Sequence, residues 1–179
     1  MSLSYGGKEL ASAFRTVRNN TIQVAEDIPE SKYDHVAAPE IRSVRKMLMH
    51  IAISPRMLEE IHQKRLTTLV GYDFFGLLER HNAEEAKPRS KAEIVELLRT
   101  DGERFASWME SLTPEFLSQP ITEANGKTAK SWFERLQGAK EHEMHHRAQL
   151  MLIERQMGIV PHLTRQFQER AAAMRAAKG

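Results

Sequence analysis

Cysteine is absent from this chain of 179 residues, and that absence excludes disulfide bonds, a cysteine-ligated zinc site, a catalytic thiol and a redox pair. Any bound metal ion must therefore be held by His, Asp or Glu. Long apolar runs are missing too, since no segment approaches the ~18 to 20 apolar residues of a membrane-spanning helix. We therefore expect no membrane partner, and the lack of a recognisable signal sequence predicts a cytoplasmic location.

The chain also lacks a large excess of either positive or negative charge. The formal net charge is only +2, with acidic and basic residues interspersed. A nucleic-acid-binding protein usually carries a concentrated basic stripe, so we expect no nucleic-acid partner and disfavour a DNA-binding function. Hydrophobic residues make up 41% of the chain and charged residues 28%, which is typical of a globular protein. The length predicts a single domain over residues 1–179 with a real hydrophobic core.

Apolar residues recur at steps of three and four between the few glycines and prolines, whereas strand signals are nearly absent. This pattern predicts an all-α four-helix bundle, whose core covers about residues 5–160. The four helices are expected from Lys8 to about Glu26, from the N-cap Ser43 past Ile61, from the N-cap Ser90 to about Leu112, and from Thr128 or Ser131 to Gln156.

Three other segments complete the predicted layout. Pro55 is expected to kink or divide the second helix, because proline lacks an amide hydrogen and crowds the preceding turn. Residues 66–88 are irregular, with two glycines around "YDFFGLL", and are predicted as loop with at most a short helix. Residues 161–179 are rich in alanine and are predicted to form an additional C-terminal helical segment.

The stretch "KEHEMHHRAQ", residues 140–149, contains three of the eight histidines. His142 and His146 lie one helical turn apart, so that both imidazoles can reach one ion. His145 is rotated by about 100° toward the flank of the helix. His146 also falls in the apolar seam of the fourth helix, where a buried imidazole needs a partner. These observations favour a metal site over structural histidines, although core histidines with hydrogen-bond partners remain the alternative.

His50 lies on the apolar stripe of the second helix, within "VRKMLMHIAIS". A lone histidine on such a face is more often a core residue than a ligand. Beside a convergent pair on a facing helix, however, it becomes the candidate third ligand. Three neutral imidazoles with an open fourth position form a site of the catalytic type.

His142, Glu143 and His146 also spell H-E-x-x-H, the pattern of zinc metalloproteases in which the Glu is a general base. Such enzymes need a third ligand downstream. Position 152 is Leu rather than His, and only ten residues follow Glu169. A zincin-like protease is therefore the weaker hypothesis. In a protease, Glu143 would be the candidate general base. In a helical bundle, it is more simply a hydrogen-bond acceptor near the site or a carboxylate on the helix face.

Two segments together resemble the DinB/YfiT-like superfamily of metal-binding four-helix bundles: "IPESKYDHVAAPEIRSVRKMLMH", which ends at His50, and "HEMHHRAQLMLIERQMGI", which begins at His142. The resemblance spans about residues 5–160. It implies a divalent metal ion, nickel, zinc or iron, bound by His50, His142 and His146. One departure is Ala148, where the family often has glycine.

The resemblance also implies a homodimer and a small-molecule substrate. Activities in the family include transfer of low-molecular-weight thiols and reactions of the hydrolase type, so we expect a metal-dependent transferase or hydrolase. Because the chain has no cysteine, any thiol must come from outside. The alternative is a non-catalytic, stress-associated protein that retains the metal site without turnover.

Overall fold

A computed structural model describes residues 5–177 and shows a bundle of helices with one small β-ribbon. The elements in chain order are α1 (Gly7–Asp27), a short 3-10 helix (Glu30–Lys32), α2 (Val44–Ile53), α3 (Arg56–Gln63), α4 (Phe74–Glu85), α5 (Lys91–Glu110), α6 (Pro114–Ser118), β1 (Pro120–Thr122), β2 (Ala129–Ser131), α7 (Trp132–Gln156) and α8 (His162–Ala176). The bundle forms because α1 packs on α5 and α7, and α2 packs on the same two helices. The predicted all-α bundle and C-terminal helical segment are thus confirmed.

Helix α7, which carries two of the candidate ligands, begins and ends where its sequence predicts. The side chain of Ser131 accepts a hydrogen bond from the Glu134 amide, and the Glu134 carboxylate accepts one from the Ser131 amide. This reciprocal capping fixes the first turn of the helix. After Gln156 the chain turns at Gly158, whose φ of 78° is accessible to glycine without steric cost.

The core of the bundle consists of two hydrophobic clusters, and Phe14 and Ile22 of α1 belong to different ones. Between these two residues lies Arg18, whose side chain is only 3% exposed and forms an ion pair with Glu143 of α7. Both carboxylate oxygens of Glu143 accept hydrogen bonds from the guanidinium, at 2.9 to 3.0 Å. A buried bidentate pair therefore joins α1 to α7 at the level of the candidate site.

Arg18 also replaces the hydrogen-bond donor that Pro55 lacks. In a continuous helix the carbonyl of Ile51 would accept the amide hydrogen of residue 55, which proline lacks. The Arg18 guanidinium donates to that carbonyl instead, at 3.2 Å, and to the carbonyl of Leu98 at 3.0 Å. A Cβ atom at Gly102 would lie 2.8 Å from the Arg18 side chain, so this helical glycine makes room for the arginine. Pro55 accordingly divides the second helix into α2 and α3.

Two segments differ in detail from the expectation. Residues 66–88 do form loop and a helix, but this helix, α4, is 12 residues long; Asp73 caps it by accepting a hydrogen bond from the Gly76 amide, and it packs on α2. Strands β1 and β2 form an antiparallel ribbon in which Ile121 pairs with Lys130, although strand signals are nearly absent from the sequence. Each strand has three residues, too few to produce an alternating pattern.

None of the helices within residues 5–177 has the length and apolarity that a bilayer span would need.

Candidate metal centre

Three imidazoles meet where the last turn of α2 faces the middle of α7. The Nε2 atom of His142 lies 3.0 Å from Nε2 of His50 and 3.2 Å from Nε2 of His146. One ring nitrogen from each of the three residues falls within 4.8 Å of the other two. The structure thus brings together the three histidines that the sequence and the resemblance indicate.

In His50 and His146, the ring nitrogen that points away from the cluster, Nδ1, has a hydrogen-bond acceptor. Nδ1 of His50 lies 2.7 Å from a carboxylate oxygen of Glu85, and Nδ1 of His146 lies 2.9 Å from the side-chain oxygen of Gln149. Because these oxygens accept, both Nδ1 atoms carry a hydrogen, and in the neutral rings this leaves a lone pair on each Nε2 atom. The Nε2 atom of His142 can donate to only one of them, so lone pairs face one another and a cation would relieve the repulsion.

The donor set fits a divalent transition metal ion. Imidazole nitrogens bind zinc at about 2.0–2.1 Å, and in a tetrahedral site this places neighbouring ligand atoms about 3.3 Å apart. The two shortest nitrogen separations, 3.0 and 3.2 Å, are close to that value. Within residues 5–177 no other group of three His, Asp or Glu residues converges in this way.

The local electrostatics keep the rings in the form that binds metal. Burial, together with the neighbouring rings of His50 and His146, lowers the pKa of His142 to about 4. Burial also lowers the pKa of His146. Both imidazoles are therefore neutral at pH 7, as ligation requires.

Glu85, in the last turn of α4, is a site residue that the sequence did not reveal. Its side chain is 5% exposed and bridges His50 and Arg42, whose Nε donates to the other carboxylate oxygen at 2.9 Å. Although burial favours the neutral acid, these hydrogen bonds hold the pKa of Glu85 below its usual range. An ionised carboxylate behind a histidine fixes the ring orientation and increases its basicity as a ligand. No local pattern marks Glu85, because its partner lies 35 residues away; Gln149, at i+3 from His146, could have been found from helical spacing.

Replacing Glu85 with glutamine is expected to weaken metal affinity about tenfold, because contacts of this kind typically contribute ~10–100-fold. Competition against a chromophoric chelator measures the change. The matched control is Glu84→Gln, since Glu84 is the preceding residue and pairs only with Lys87 and Arg89. Equal affinities for the Glu85 variant and the unmodified protein would show that the carboxylate does not support the site.

Glu143 does not occupy the position of a free general base. Its side chain is 2% exposed, and Arg18 engages both of its oxygens. The interpretation of Glu143 as a hydrogen-bond acceptor inside the bundle thus fits the structure better than the zincin interpretation. His145 lies exposed on the flank of α7, as the helical geometry predicts, next to the ring of His146 and the side-chain amide of Gln149.

The downstream residues considered for a zincin do not join the three histidines. Glu169 is exposed on α8. Nε2 of His162 contacts the side-chain oxygen of Asn20 at 3.0 Å. Glu154 is fully buried, its carboxylate lacks hydrogen-bond partners among the described residues, and burial together with Asp27 raises its pKa to about 7.

A cavity of about 340 Å³ lies directly beside the histidines. Its polar lining comes from His50, Ser54, His81, Arg135, His142 and Glu143, and Arg18 neutralises the last of these. Its apolar walls come from the α2–α3 junction, from α4 and from α7, namely Ile51, Pro55, Met57, Leu58, Phe74, Leu77, Leu78 and Ala139. A small molecule in this cavity could contact the imidazole cluster and a hydrophobic surface at the same time.

Comparison with known proteins agrees with the fold and covers the segments that carry the three histidines. A family model described as the DinB superfamily matches residues 13–150, which include all three histidines. The chain belongs to the DinB superfamily. The resemblance inferred from the two segments around His50 and His142 is thereby confirmed.

The relatives of this DinB-superfamily chain cover most of its length. It is 27% identical over 157 residues to YjoA, an uncharacterized protein of Bacillus subtilis (strain 168), covering 84% of this chain and 90% of YjoA. The crystal structure of YjoA, a DinB-like protein, has a TM-score of 0.62 at 24% identity and covers 84% of this chain and 92% of YjoA. YfiT of B. subtilis, described as a probable metal-dependent hydrolase with an unusual four-helix bundle topology, has a TM-score of 0.66 at 18% identity, covering 89% and 93%. An uncharacterized protein of Clostridium difficile 630 has a TM-score of 0.67 at 16% identity, covering 86% and 98%.

Proposed function

We propose that the protein is a metal-dependent enzyme in which His50, His142 and His146 hold a divalent ion. The observation that carries this proposal is the convergence of the three Nε2 atoms while Glu85 and Gln149 occupy the opposite ring nitrogens. A cluster of neutral imidazoles with inward lone pairs is suited to nickel, zinc or iron. Three protein ligands leave at least one coordination position open, as in catalytic rather than structural sites.

The reaction class we propose is hydrolysis or thiol transfer on a small molecule. When bound, a divalent ion acts as a Lewis acid and lowers the pKa of a water or thiol that reaches its open position. The description of YfiT as a probable metal-dependent hydrolase supports the first reaction. In the second, a low-molecular-weight thiol would come from solution, because the chain has no cysteine.

The residues around the histidines have separable tasks in this proposal. Glu85 orients His50, and Gln149 orients His146. His81 lines the cavity beside them, and burial, followed by its neighbour His50, lowers its pKa. A neutral His81 can accept a proton from the nucleophile, a task for which Glu143 is unsuited because Arg18 holds its carboxylate.

The cavity is what favours an enzyme over a non-catalytic metal-binding protein. A site that only stores an ion needs no adjoining space, whereas about 340 Å³ is at the lower end of the ~300–1,000 Å³ range of ligand pockets. A protease is disfavoured because Glu143 is held by Arg18 and neither Glu154 nor Glu169 joins the histidines.

The proposal is tested by assaying the purified protein against two substrate panels, aryl esters and electrophiles supplied with a low-molecular-weight thiol. Activity in one panel should be lost after chelation and restored by Ni²⁺, Zn²⁺ or Fe²⁺. It should fall by about 100-fold or more in His146→Ala, because even residues that only support a ligand contribute ~10–100-fold. His145→Ala is the matched control and should stay active. Full metal content without turnover in either panel would favour the non-catalytic alternative.

Association as a homodimer in the cytoplasm is also part of the proposal. Support comes from large apolar side chains that are exposed on two helices, Phe75 and Leu78 of α4 and Phe167 and Met174 of α8. Such side chains are often covered when copies associate. Sedimentation at micromolar concentration should give twice the 20.5 kDa chain mass, and a strict monomer would contradict it.

A further inference from the structure

A second charged group lines the cavity beside the histidines. Arg135 lies on α7 seven residues before His142, and its side chain is 9% exposed. Its Nε and Nη2 atoms are buried without a hydrogen-bond partner among the described residues. Nη2 lies 3.0 Å from Oε1 of Glu123, but the two atoms do not have the geometry of a hydrogen bond. The same oxygen lies 3.7 Å from Nζ of Lys130.

A guanidinium in this state is incompletely compensated. A buried donor without a partner typically costs ~1–3 kcal/mol, and more when it is charged. Glu123 compensates Arg135 only in part, since the oxygen that faces Arg135 is shared with Lys130 and makes no hydrogen bond to the guanidinium. An anion entering the cavity would supply the missing partner and would gain a charge-assisted bond in apolar surroundings.

The spacing along α7 defines how such an anion would lie. Seven residues correspond to about two turns, so Arg135 and His142 share one face of the helix about 10 Å apart along its axis. The residues between them on this face are small. Gly138 and Ala139 line the cavity, and no atom lies within 4 Å of the position that a Cβ of Gly138 would occupy. The space between the two polar ends is therefore open and flanked by Phe74 and Leu77 of α4.

We propose that the substrate of this site is a small organic acid with an apolar body, whose carboxylate pairs with Arg135 while its reacting end reaches the three histidines. This inference rests on the proposed function, because it assigns the substrate class of the same site. Arg135 binds and orients the substrate at the end remote from the metal ligands and takes no part in bond breaking.

A carboxylate fits better than a phosphate ester or a neutral group. A single arginine can pair with a monoanion through two parallel hydrogen bonds. A phosphate dianion would leave one negative charge unpaired among apolar side chains, which is costly. An uncharged amide would leave the guanidinium with only the carboxylate of Glu123 that it shares with Lys130. The cavity therefore selects for one negative charge on a hydrophobic chain.

Calorimetric titration of the full-length protein, as purified, with hexanoate, hexanamide and hexyl phosphate tests the proposal. Hexanoate should bind about tenfold more tightly than hexanamide, the discrimination expected for one charge-assisted pair. Hexyl phosphate should bind less tightly than hexanoate. Tighter binding of the phosphate, or no preference for the acid, would overturn the assignment, as would failure of hexanoate to bind.

Two variants should shift the preference in opposite directions. Arg135→Met should reduce the difference between hexanoate and hexanamide to about twofold or less, since the charge is lost while the apolar walls remain. Glu123→Gln should tighten hexanoate about threefold by removing the competing carboxylate. The second variant keeps its arginine and so remains informative if Arg135→Met does not fold. Unchanged or weakened hexanoate binding in Glu123→Gln would contradict the proposal.

The same titration on chelated protein separates this inference from the proposed function. Pairing with Arg135 predicts that the preference for hexanoate survives removal of the metal. If the preference disappears on chelation and persists in Arg135→Met, the carboxylate binds the ion, so the inference fails and the metal site stands. If Arg135 controls the preference in a protein that binds no metal, the proposed function fails and the acid-binding assignment stands.

Discussion

Replacement of His50, His142 or His146 by alanine is expected to abolish stoichiometric binding of a divalent metal. Two imidazoles alone hold an ion only weakly against exchange with solvent, and Nε2 of His142 lies 3.0 Å from Nε2 of His50 and 3.2 Å from Nε2 of His146. Elemental analysis of protein purified without added metal measures the metal-to-protein ratio directly.

Three other histidines provide the controls for this experiment. His145→Ala should retain the metal because its ring lies on the exposed flank of α7. His62→Ala should retain it because that ring packs among Trp108, Phe116 and Trp132. His81→Ala should also retain it, although it lines the same cavity. Normal metal content in His50→Ala combined with loss in Glu154→Ala, His162→Ala or Glu169→Ala would instead favour a zincin-like site.

Arg18→Met is expected to lower the free energy of unfolding by about 3–5 kcal/mol, the usual cost of removing one partner of a buried ion pair. Glu143 would be left buried without a counter-charge, and the carbonyls of Ile51 and Leu98 would each lose a donor. Denaturation in urea, followed by circular dichroism and fluorescence together, measures the change and checks two-state behaviour.

Two comparisons make this stability experiment specific. Arg15→Met removes an ion pair with Glu103 and Glu110 that is largely exposed, and should cost no more than about 1 kcal/mol. The double variant Arg18→Met/Glu143→Leu should be less destabilised than the sum of its single changes, because no charge remains buried. A loss below about 1 kcal/mol in Arg18→Met would show that the buried pair does not support the bundle.

The parts of the protein that could be predicted from sequence are those set by neighbouring residues. Ser131 and Glu134 cap α7 at i and i+3, and His142 and His146 share a face at i and i+4. Pro55 divides its helix through its own missing amide hydrogen. Each of these effects acts within one or two helical turns, so the sequence pattern alone contains it.

The parts that could not be predicted depend on residues far apart in the chain. Glu143 meets Arg18 across 125 residues, and its spacing from His142 and His146 instead matched a protease motif. The length and bounds of helix α4 were not predicted, because its apolar residues are interrupted by Gly76 and largely face the cavity or remain exposed, as Phe75 and Leu78 do. Without those bounds, Glu85 had no predicted position from which to reach His50.

Helix α4 connects the two halves of the proposed site. Its last residue, Glu85, hydrogen-bonds His50, whereas Phe74, Leu77 and Leu78 form one wall of the cavity. A 12-residue helix moves largely as one body, so an ion that restrains His50 and Glu85 also restrains that wall. Thermodynamic linkage then requires that the ion and the organic ligand change each other's affinity by the same factor. The metal would thus control how tightly substrate is held, and substrate would control how readily the metal is lost.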